Sequence, residues 1–300
     1  MQHVYVRLSG GLGNQLFQYA AARALAIRHD AEVKLDVTGF ETHGLRRFGL
    51  DIYSIAATIA SRDEMRAISA PLAAKSGPFR RARAQLGRVL GSGLKQPGNA
   101  KYREAHYHYD TNLSAQSPPV LLEGYWQSER YFKDIADTLR TELTPHEPME
   151  PVNAAIAEAI ASNTAVSVHV RRGDYISNQR INAYHGVCSL DYSRAAVEHI
   201  ADHVSNVHFF VFSDDPEWTE ENLKTGLPAT YVVANPPDRG FRDLQLMSHC
   251  GHHIIANSSF SWWGAWLNAS PDKIVVAPAQ WFAVDDKNTS DLIPEGWMRL

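Results

Sequence analysis

The second half of the chain alternates short β-branched runs with helical patterns, and this alternation constrains the fold more than any other feature of the sequence. Strands that alternate with helices in this way predict a parallel sheet covered by helices on both faces. The predicted strands are Ala165–Val170, Val207–Phe212, Thr230–Ala234, His253–Ala256 and Lys273–Ala277. The predicted helices are Val152–Ala161, Leu190–His203, Glu217–Lys224 and Arg242–Cys250. Together they predict a doubly wound domain.

The chain begins with a similar pattern. Val4–Leu8 reads as a strand, a glycine-rich turn follows it, Asn14–His29 reads as a helix, and Glu32–Val37 reads as a second strand. Between the two regions, prolines 145, 148 and 151 lie close together, as is typical of a domain boundary. We therefore predict two α/β domains, over residues 1–148 and 149–300.

Composition excludes several classes of protein. The 300 residues carry a net charge of −4, so no overall basic field favours nucleic acid as a partner. Two cysteines, Cys188 and Cys250, are too few for a disulfide scaffold, and we expect both to be buried thiols. We see no signal peptide before the first strand and no stretch near the roughly 18 apolar residues that span a bilayer. We therefore expect a cytoplasmic protein.

The sharpest chemical feature is the segment from His169 to Asp174. His169, Arg171, Arg172 and Asp174 crowd the end of a predicted buried strand, and in open parallel sheets that end faces the ligand crevice. An arginine fork matches the oxygens of a diphosphate in geometry and in charge. We expect one arginine to hold a phosphate and the other to pair with Asp174. A surface ion-pair cluster is the alternative.

The glycine-rich turn from Gly10 to Gln15 is a weaker signal. Leu16 stands where a dinucleotide-binding fingerprint needs glycine or alanine, and the turn lacks the Lys-Ser/Thr pair of a P-loop. What remains is a close approach of backbone to a ligand at a helix N-terminus, near Gly11 and Asn14. A tight turn without a ligand is the alternative.

Two further clusters resemble metal sites, but neither has the full pattern. Asp214 and Asp215 are adjacent, whereas metal-dependent nucleotide-sugar transferases carry two acids separated by one residue. Because Pro216 follows, we expect Asp215 to start the next helix as its cap or to support the loop. The run from His249 to His253 has zinc-like spacing but no second ligand group, so we expect it to pack at a helix end.

The segment from Asn257 to Leu267 combines small polar residues with three tryptophans. Ser258 and Ser259 can cap a helix and offer donors to a phosphate or ribose. Trp262 and Trp263 could stack on sugar rings. Packing in the core is the alternative, and for Trp266 we favour it.

Five motifs in this order resemble glycosyltransferase family 11, the α-1,2-fucosyltransferases, in its bacterial form. They are Gly10–Gln15, Glu123–Glu129, His169–Asp174, Phe212–Asp215 and Asn257–Gly264, and the resemblance runs from about residue 4 to residue 285. It implies a GT-B type α/β fold, with two facing Rossmann-like domains that contain parallel sheets. Residues 1–148 would form the acceptor side and residues 149–300 the side that binds GDP-fucose.

The resemblance also implies an activity. The expected reaction is an inverting transfer of L-fucose from GDP-β-L-fucose to a hydroxyl of a galactose-containing glycan, without a metal or other cofactor. The linkage is expected to be α-1,2, with α-1,3 as the less favoured option. The acceptor could be a free galactoside or a lipid-linked O-antigen repeat.

The expected site residues follow from the motif positions. The catalytic residues are Arg171, Asp174 and His169. The donor-binding residues are Gly11, Asn14, Arg171, Arg172, Asp243, Asn257, Ser258, Ser259 and Phe260, with Asp243 at the guanine. The acceptor-binding residues are Glu123, Trp126, Tyr175, His185, Trp262 and Trp263. The general base is left open among Asp174, Glu123 and His185.

Two other functions compete with this one. A transferase of another nucleotide sugar would use a divalent ion at Asp214 and Asp215, and a lectin-like module would bind glycans without chemistry. A basic segment between Gly77 and Gly98 either is solvated or meets an anionic, lipid-linked acceptor, which would bring peripheral contact with a membrane. Its basic residues are Arg80, Arg81, Arg83, Arg88 and Lys95.

Overall fold

The computed structural model describes residues 2–42, 46–70, 101–173, 179–284 and 286–300. The chain divides into two compact units, Met1–Glu142 and Leu143–Leu300. The predicted boundary after residue 148 falls a few residues into the second unit. The basic segment at residues 77–98, Asp174 and Tyr175 lie outside the described residues.

The first unit is built on a parallel sheet of five strands in the order β3-β2-β1-β5-β4. The strands are β1 (His3–Arg7), β2 (Glu32–Asp36), β3 (Ala57–Ile59), β4 (Lys101–Arg103) and β5 (Val120–Glu123). The helices are α1 (Leu12–Arg28), α2 (Thr38–Thr42), α3 (Arg62–Ser69) and α4 (Ala136–Glu142). The predicted first strand, helix and second strand correspond to β1, α1 and β2.

Helix α1 forms the centre of this unit because its residues are small and apolar. Alanines at positions 20, 21, 22, 24 and 26 are almost wholly buried, so the helix can lie close to the sheet. Alanine also has the highest helix propensity. At the other end of the unit, α3 begins with a capping box in which Ser61 and Glu64 each accept the other's backbone N–H.

The second unit contains a parallel sheet of six strands in the order β11-β10-β9-β6-β7-β8. The strands are β6 (Thr164–Val170), β7 (Val207–Ser213), β8 (Ala229–Val232), β9 (His252–Ile254), β10 (Val275–Ala277) and β11 (Met298–Arg299). The helices are α5 (Pro151–Ala161), α6 (Gln179–His185), α7 (Leu190–His203), α8 (Pro216–Asn222), α9 (Phe241–His249) and α10 (Ser259–Leu267). The predicted α/β class, with two Rossmann-like units and parallel sheets as in the GT-B type, is confirmed.

Packing in the second unit explains why β6 and β7 read as β-branched or aromatic runs. Val166, Val168, Phe209 and Val211 are buried and form the core with α7. Beyond the sheet, α9 and α10 lie in close contact: a Cβ on Gly264 would come within 3.0 Å of the Met247 Cβ. Glycine at this position therefore sets how closely the two helices approach.

The tryptophans of α10 belong to this core. Trp262 and Trp263 are fully buried, and the Trp266 ring lies 5.1 Å from that of Trp263. The expectation that Trp262 and Trp263 stack on sugars is wrong, because neither ring has an exposed face. For Trp266 the structure agrees with the core position that we favour.

Strand order identifies one crevice in each sheet. In the second unit the chain moves from β6 to β7 and β8 on one side and then returns to β9 on the other. In the first unit the corresponding change of direction separates β1 from β5. Ligands of doubly wound sheets bind at the carboxyl ends of strands at such points. None of the helices in the described part of the chain is long and apolar enough to cross a membrane.

Candidate active site

The carboxyl ends of β6 and β7 bring Arg171 and Asp214 together. Val170 is in register with Ser213, so the next residues on each strand are neighbours. Arg171 Nη1 lies 2.9 Å from Asp214 Oδ2, and Asp214 Oδ1 accepts the backbone N–H of Arg172 at 2.8 Å. A Cβ on Gly173 would be 2.6 Å from Asp214 Oδ2. Asp214 therefore fixes both the Arg171 guanidinium and the backbone that follows it.

Arg172 has a separate set of contacts on α8. Its Nε lies 3.4 Å from Asp215 Oδ2, and its guanidinium carbon lies 3.2 Å from the centre of the Trp218 ring. We expected Asp174 to be the partner of one arginine; among the described residues, the acids that pair with the two arginines are Asp214 and Asp215. Asp215 stands at the N-cap position of α8, but its side chain does not cap the helix because it turns to Arg172. Asp215 therefore starts the helix as expected, but the expected cap by its side chain is not formed.

His169 is a neutral imidazole at the same edge. The side chain is buried and its Nδ1 has no hydrogen-bond partner among the described residues. Burial lowers the pKa of His169 to about 4; the charge of Arg171 adds to this effect and that of Asp214 opposes it. The Phe260 ring lies 5.7 Å away. His169 can therefore offer a hydrogen bond at this edge, but it carries no charge at neutral pH.

The turn between β9 and α10 forms the other side of this crevice. Ser258 caps α10 by accepting the N–H of Phe260 at 3.3 Å. Asn257 is buried, and its amide donates to the carbonyl of His185 at 2.8 Å and to that of Trp281 at 3.3 Å. Its side chain thus ties the end of α6 to the turn. Ser259 and Phe260, the first residues of α10, remain half-buried beside it.

His185 lies at the end of α6, against aromatic side chains. Its ring centre is 4.8 Å from that of Tyr184 and 5.5 Å from that of Phe282. Its expected part in acceptor binding, and that of Tyr175 beyond the described residues, stay predictions.

Asp243 is a half-buried carboxylate on α9. Its Oδ1 accepts a hydrogen bond from Asn235 at 2.7 Å. Burial raises the pKa of Asp243 to about 6, and the Asn235 hydrogen bond opposes that rise. Among the described residues it forms no ion pair with a cation. A carboxylate in such surroundings is a candidate ligand-binding group.

In the first unit, the glycine turn leads directly into α1. Gly10 has φ +77°, and a Cβ there would be 2.5 Å from Asn14 Nδ2. Gly11 occupies the N-cap position without a side-chain cap, and a Cβ on Gly11 would meet no atom within 4 Å. Packing within the described chain therefore does not require glycine at position 11, although a ligand close to the backbone would. Asn14 Oδ1 accepts from Gln127 at 2.7 Å.

A row of alternating charges crosses four strands of the first sheet. Arg7 is in register with Asp36 on β2, and Arg103 on β4 is in register with Glu123 on β5. Arg7 binds Asp36 at 2.8 Å and Glu123 at 2.5 Å, and Arg103 lies 3.1 Å from Glu123. Lys101 also reaches Glu123 at 2.8 Å. We call this set the charge row.

The charge row and its neighbours correct two expectations for the acceptor side. Burial alone would raise the pKa of Glu123, but hydrogen bonds from Lys101 and Arg103 and the charge of Arg7 hold that pKa below its usual value. A carboxylate stabilised in this way is a poor general base. Trp126 is fully buried, so its side chain has no exposed surface for an acceptor.

The zinc-like run from His249 to His253 has a structural role. His253 is buried between Ser167, 2.8 Å from its Nδ1, and Asn268, 2.9 Å from its Nε2. His252 Nδ1 accepts the backbone N–H of Ile274 at 3.0 Å. Both histidines thus connect strands and helices of the core. Over the described ranges, no group of three or more histidine, cysteine, aspartate or glutamate residues could hold a metal ion.

Comparison with known proteins shows the family. A model described as glycosyl transferase family 11 matches residues 3–300. An alpha-1,2-colitosyltransferase of Escherichia coli is 33% identical over 306 aligned residues, which cover 100% of this chain and 99% of that protein. The O-antigen biosynthesis glycosyltransferase WbnK, also from Escherichia coli, is 34% identical over 319 residues, with 99% and 100% covered. Human galactoside alpha-(1,2)-fucosyltransferase 1 is 28% identical over 171 residues, 54% of this chain and 46% of that protein. The resemblance found in the motifs is confirmed, and the chain belongs to glycosyltransferase family 11.

Proposed function

We propose that this protein transfers L-fucose from GDP-β-L-fucose to a hydroxyl of a galactose-containing glycan, with inversion and with formation of an α-1,2 linkage. The observation that carries the proposal is the Arg171–Asp214 pair at the carboxyl ends of β6 and β7, 2.9 Å apart. It provides one fixed guanidinium at the crevice of the second sheet, where a diphosphate would bind.

The chemistry follows from charge. As the bond from fucose to the β-phosphate breaks, negative charge grows on the departing GDP. A guanidinium held in place by Asp214 stabilises that charge more strongly than it stabilises the intact donor, and this difference lowers the barrier. His169, neutral and beside Arg171, adds a hydrogen bond without adding a second charge.

The rest of the donor is assigned to neighbouring parts of the second unit. Asp243 would accept the N–H groups of guanine, and the turn of Ser258, Ser259 and Phe260 would contact ribose and phosphate. Asn257 would act by holding this turn, because its amide donates to main-chain carbonyls. Arg172 would support Arg171 from its place on Trp218.

The acceptor is assigned to the first unit. Gly11 leaves open space above the N-terminus of α1, and Asn14 lies beside it. Gly11 and Asn14 stay assigned to the donor, and we infer that an O-antigen repeat on a lipid carrier is the natural acceptor. The support is the whole-length similarity to WbnK, whose name places it in O-antigen biosynthesis. Such an acceptor would place the enzyme at the cytoplasmic face of a membrane.

We propose that the transfer needs no divalent metal. The competing proposal, in which a metal ion binds Asp214 and Asp215, must account for the contacts these acids already have. Asp214 pairs with Arg171 and Asp215 with Arg172. A divalent ion at this position would displace two guanidinium groups from their carboxylates.

A second candidate donor is GDP-colitose, since a relative that matches the whole chain is named an alpha-1,2-colitosyltransferase. Colitose is fucose without the 3-hydroxyl group. The two donors would place the same GDP on the second unit, so they differ only in the sugar that is transferred.

The experiment combines donors, acceptors and chelator. Purified protein is incubated with GDP-fucose or GDP-colitose and a panel of β-galactosides, with and without EDTA, and GDP release and product mass are followed. A gain of one fucose, unchanged by EDTA and assigned by NMR to an α-1,2 bond, is the expected result. Transfer of colitose alone would mean that the donor is GDP-colitose and not GDP-fucose. Loss of activity with EDTA would mean that the transfer needs a divalent metal. Sugar binding without affinity for either donor would support a lectin.

A further inference from the structure

Two hydrogen-bonded asparagines, Asn153, which is buried, and Asn235, which is half-buried, connect the start of the second unit to Asp243. Asn153, on α5, and Asn235, after β8, exchange two amide hydrogen bonds, each 2.9 Å long. Asn235 donates from the same amide nitrogen to Asp243 Oδ1 at 2.7 Å. Asn153 is buried. Two amide hydrogen bonds in opposite directions fix the orientation of both side chains.

The pair is itself anchored. Asn153 donates to Glu150 Oε2 at 3.1 Å, and the same oxygen accepts from Arg242 Nε at 2.9 Å. Arg242 is fully buried and also donates to the carbonyls of Glu147 and Pro148. A continuous chain of hydrogen bonds thus leads from the start of the second unit to Asp243.

Burial disfavours the charged form of Asp243, so a hydrogen bond donated to its carboxylate is needed to stabilise that form. The elements packed against α9 carry few charged residues. They are Glu150 and Glu158 with α5 and Asp238 and Arg239 before α9, and α10 has none. Arg239 is occupied with Glu147 and Glu150. Asn235 is therefore the donor that holds Asp243 Oδ1, and it leaves Oδ2 without a described hydrogen bond.

We infer that the Asn153–Asn235 pair positions Asp243 and directs its second carboxylate oxygen toward a nucleobase edge with two neighbouring N–H donors. Guanine presents such an edge, at N1 and at the 2-amino group, whereas adenine and uracil do not. The inference rests on the proposed GDP donor and adds two positioning residues that set the choice of base. Both asparagines would act through Asp243 and not through contact with the donor.

The experiment measures nucleotide binding by the whole protein. Dissociation constants for GDP, IDP, ADP and UDP are determined by calorimetry between pH 5.5 and 8 for the wild type, Asn235→Ala and Asn153→Ala. Asn163→Ala, at an exposed asparagine after the same helix α5, is the matched control. Thermal unfolding of each variant reports whether it is folded.

The expected result is a loss specific to guanine. Removal of a hydrogen bond to a charged group should raise the Kd for GDP about tenfold or more in Asn235→Ala. The Kd for IDP, which lacks the 2-amino group, should change less, and the pH needed for half-maximal GDP binding should rise. Asn153→Ala should show the same pattern more weakly, while kcat at saturating donor should stay close to that of the wild type. A merely structural role would lower kcat and the unfolding temperature without changing the GDP-to-IDP ratio.

Two outcomes overturn the inference in distinguishable ways. If the wild type binds GDP no better than ADP or UDP, the proposed donor fails and the role of the pair fails with it. If the wild type prefers GDP but a folded Asn235→Ala or Asn153→Ala protein binds GDP within about twofold of it, only the role of the pair fails.

Discussion

Replacement of Asp243 by asparagine should stabilise the second unit at neutral pH and weaken nucleotide binding at the same time. Burial raises the pKa of this carboxyl from 3.8 to about 6. The folded chain therefore holds the proton more tightly than the unfolded chain, and stability is lost as the pH rises through the range from about 4 to 6. The charged carboxylate costs about 3 kcal/mol at pH 7 and about 0.5 kcal/mol at pH 4.

The assay follows from the pH dependence. An asparagine has no charge to bury, and its carbonyl oxygen can still accept the hydrogen bond from Asn235. The gain in unfolding free energy of Asp243→Asn over the wild type should thus increase by about 2 kcal/mol between pH 4 and pH 7. Six of the seven tryptophans lie in the second unit, so fluorescence during urea unfolding reports mainly on that unit.

Two further measurements test whether burial of the Asp243 charge is the cause. Asp272→Asn, at an exposed carboxylate of the same unit, should show no comparable increase. GDP affinity should fall about tenfold or more in Asp243→Asn, because the charged acceptor of the guanine N–H groups is gone. A stability difference between Asp243→Asn and the wild type that is the same at pH 4 and pH 7 would refute the argument that burial of a charge is its cause.

Four other substitutions test the site. Arg171→Ala should lower kcat on the order of hundredfold, with the unfolding midpoint nearly unchanged, and a normal kcat would remove Arg171 from the mechanism. Gly173→Ala places a Cβ 2.6 Å from Asp214 Oδ2, so kcat should fall about tenfold or more; Gly11→Ala meets nothing within 4 Å and should keep its unfolding midpoint while KM rises. Trp262→Ala should lower the free energy of unfolding by about 3–5 kcal/mol in urea titration, whereas loss of acceptor affinity at unchanged stability would return this residue to the acceptor site.

Sequence patterns were most informative where one helix or strand has one clear period. The predicted helix Leu190–His203 coincides with α7, since its apolar residues face the sheet at helical spacing and Ser189 caps its start. Strands β3 and β4 were missed because each has only three residues and most of them are exposed, whereas the equally short β9 and β10 are mostly buried. Strand β5 was missed as well. Such strands are recognisable mainly through their partners in the sheet.

The errors at the site arose from contacts between distant segments. Asp215 stands at the N-cap of α8, as the adjacent Pro216 indicates, but the register of β6 with β7 places its side chain beside Arg172. That signal was present in the sequence, since two parallel strands of equal length were predicted there. The Asn153–Asn235 pair carried no such signal, because two asparagines 82 positions apart match no local motif.

The Trp262 and Trp263 expectation failed for a different reason. Aromatic residues that follow a strand are equally suited to a sugar and to a core, and only the position of α9 against α10 decides between them. No local sequence pattern indicates how closely these two helices approach each other. Burial of both rings shows that large apolar surface next to a ligand motif is not by itself evidence of binding.

The charge row in the first sheet helps to fix the register of its parallel strands. Parallel strands have no hairpin turn to fix their alignment, and a slip of two residues keeps every buried side chain on its own face. Such a slip of β1 against β2 would set Arg7 opposite Lys34 instead of Asp36. It would exchange an attraction for a repulsion at the sheet edge that leads into the Gly10 turn. The same ion pairs that make Glu123 a poor base thus oppose a slip of β1, the strand that leads into α1.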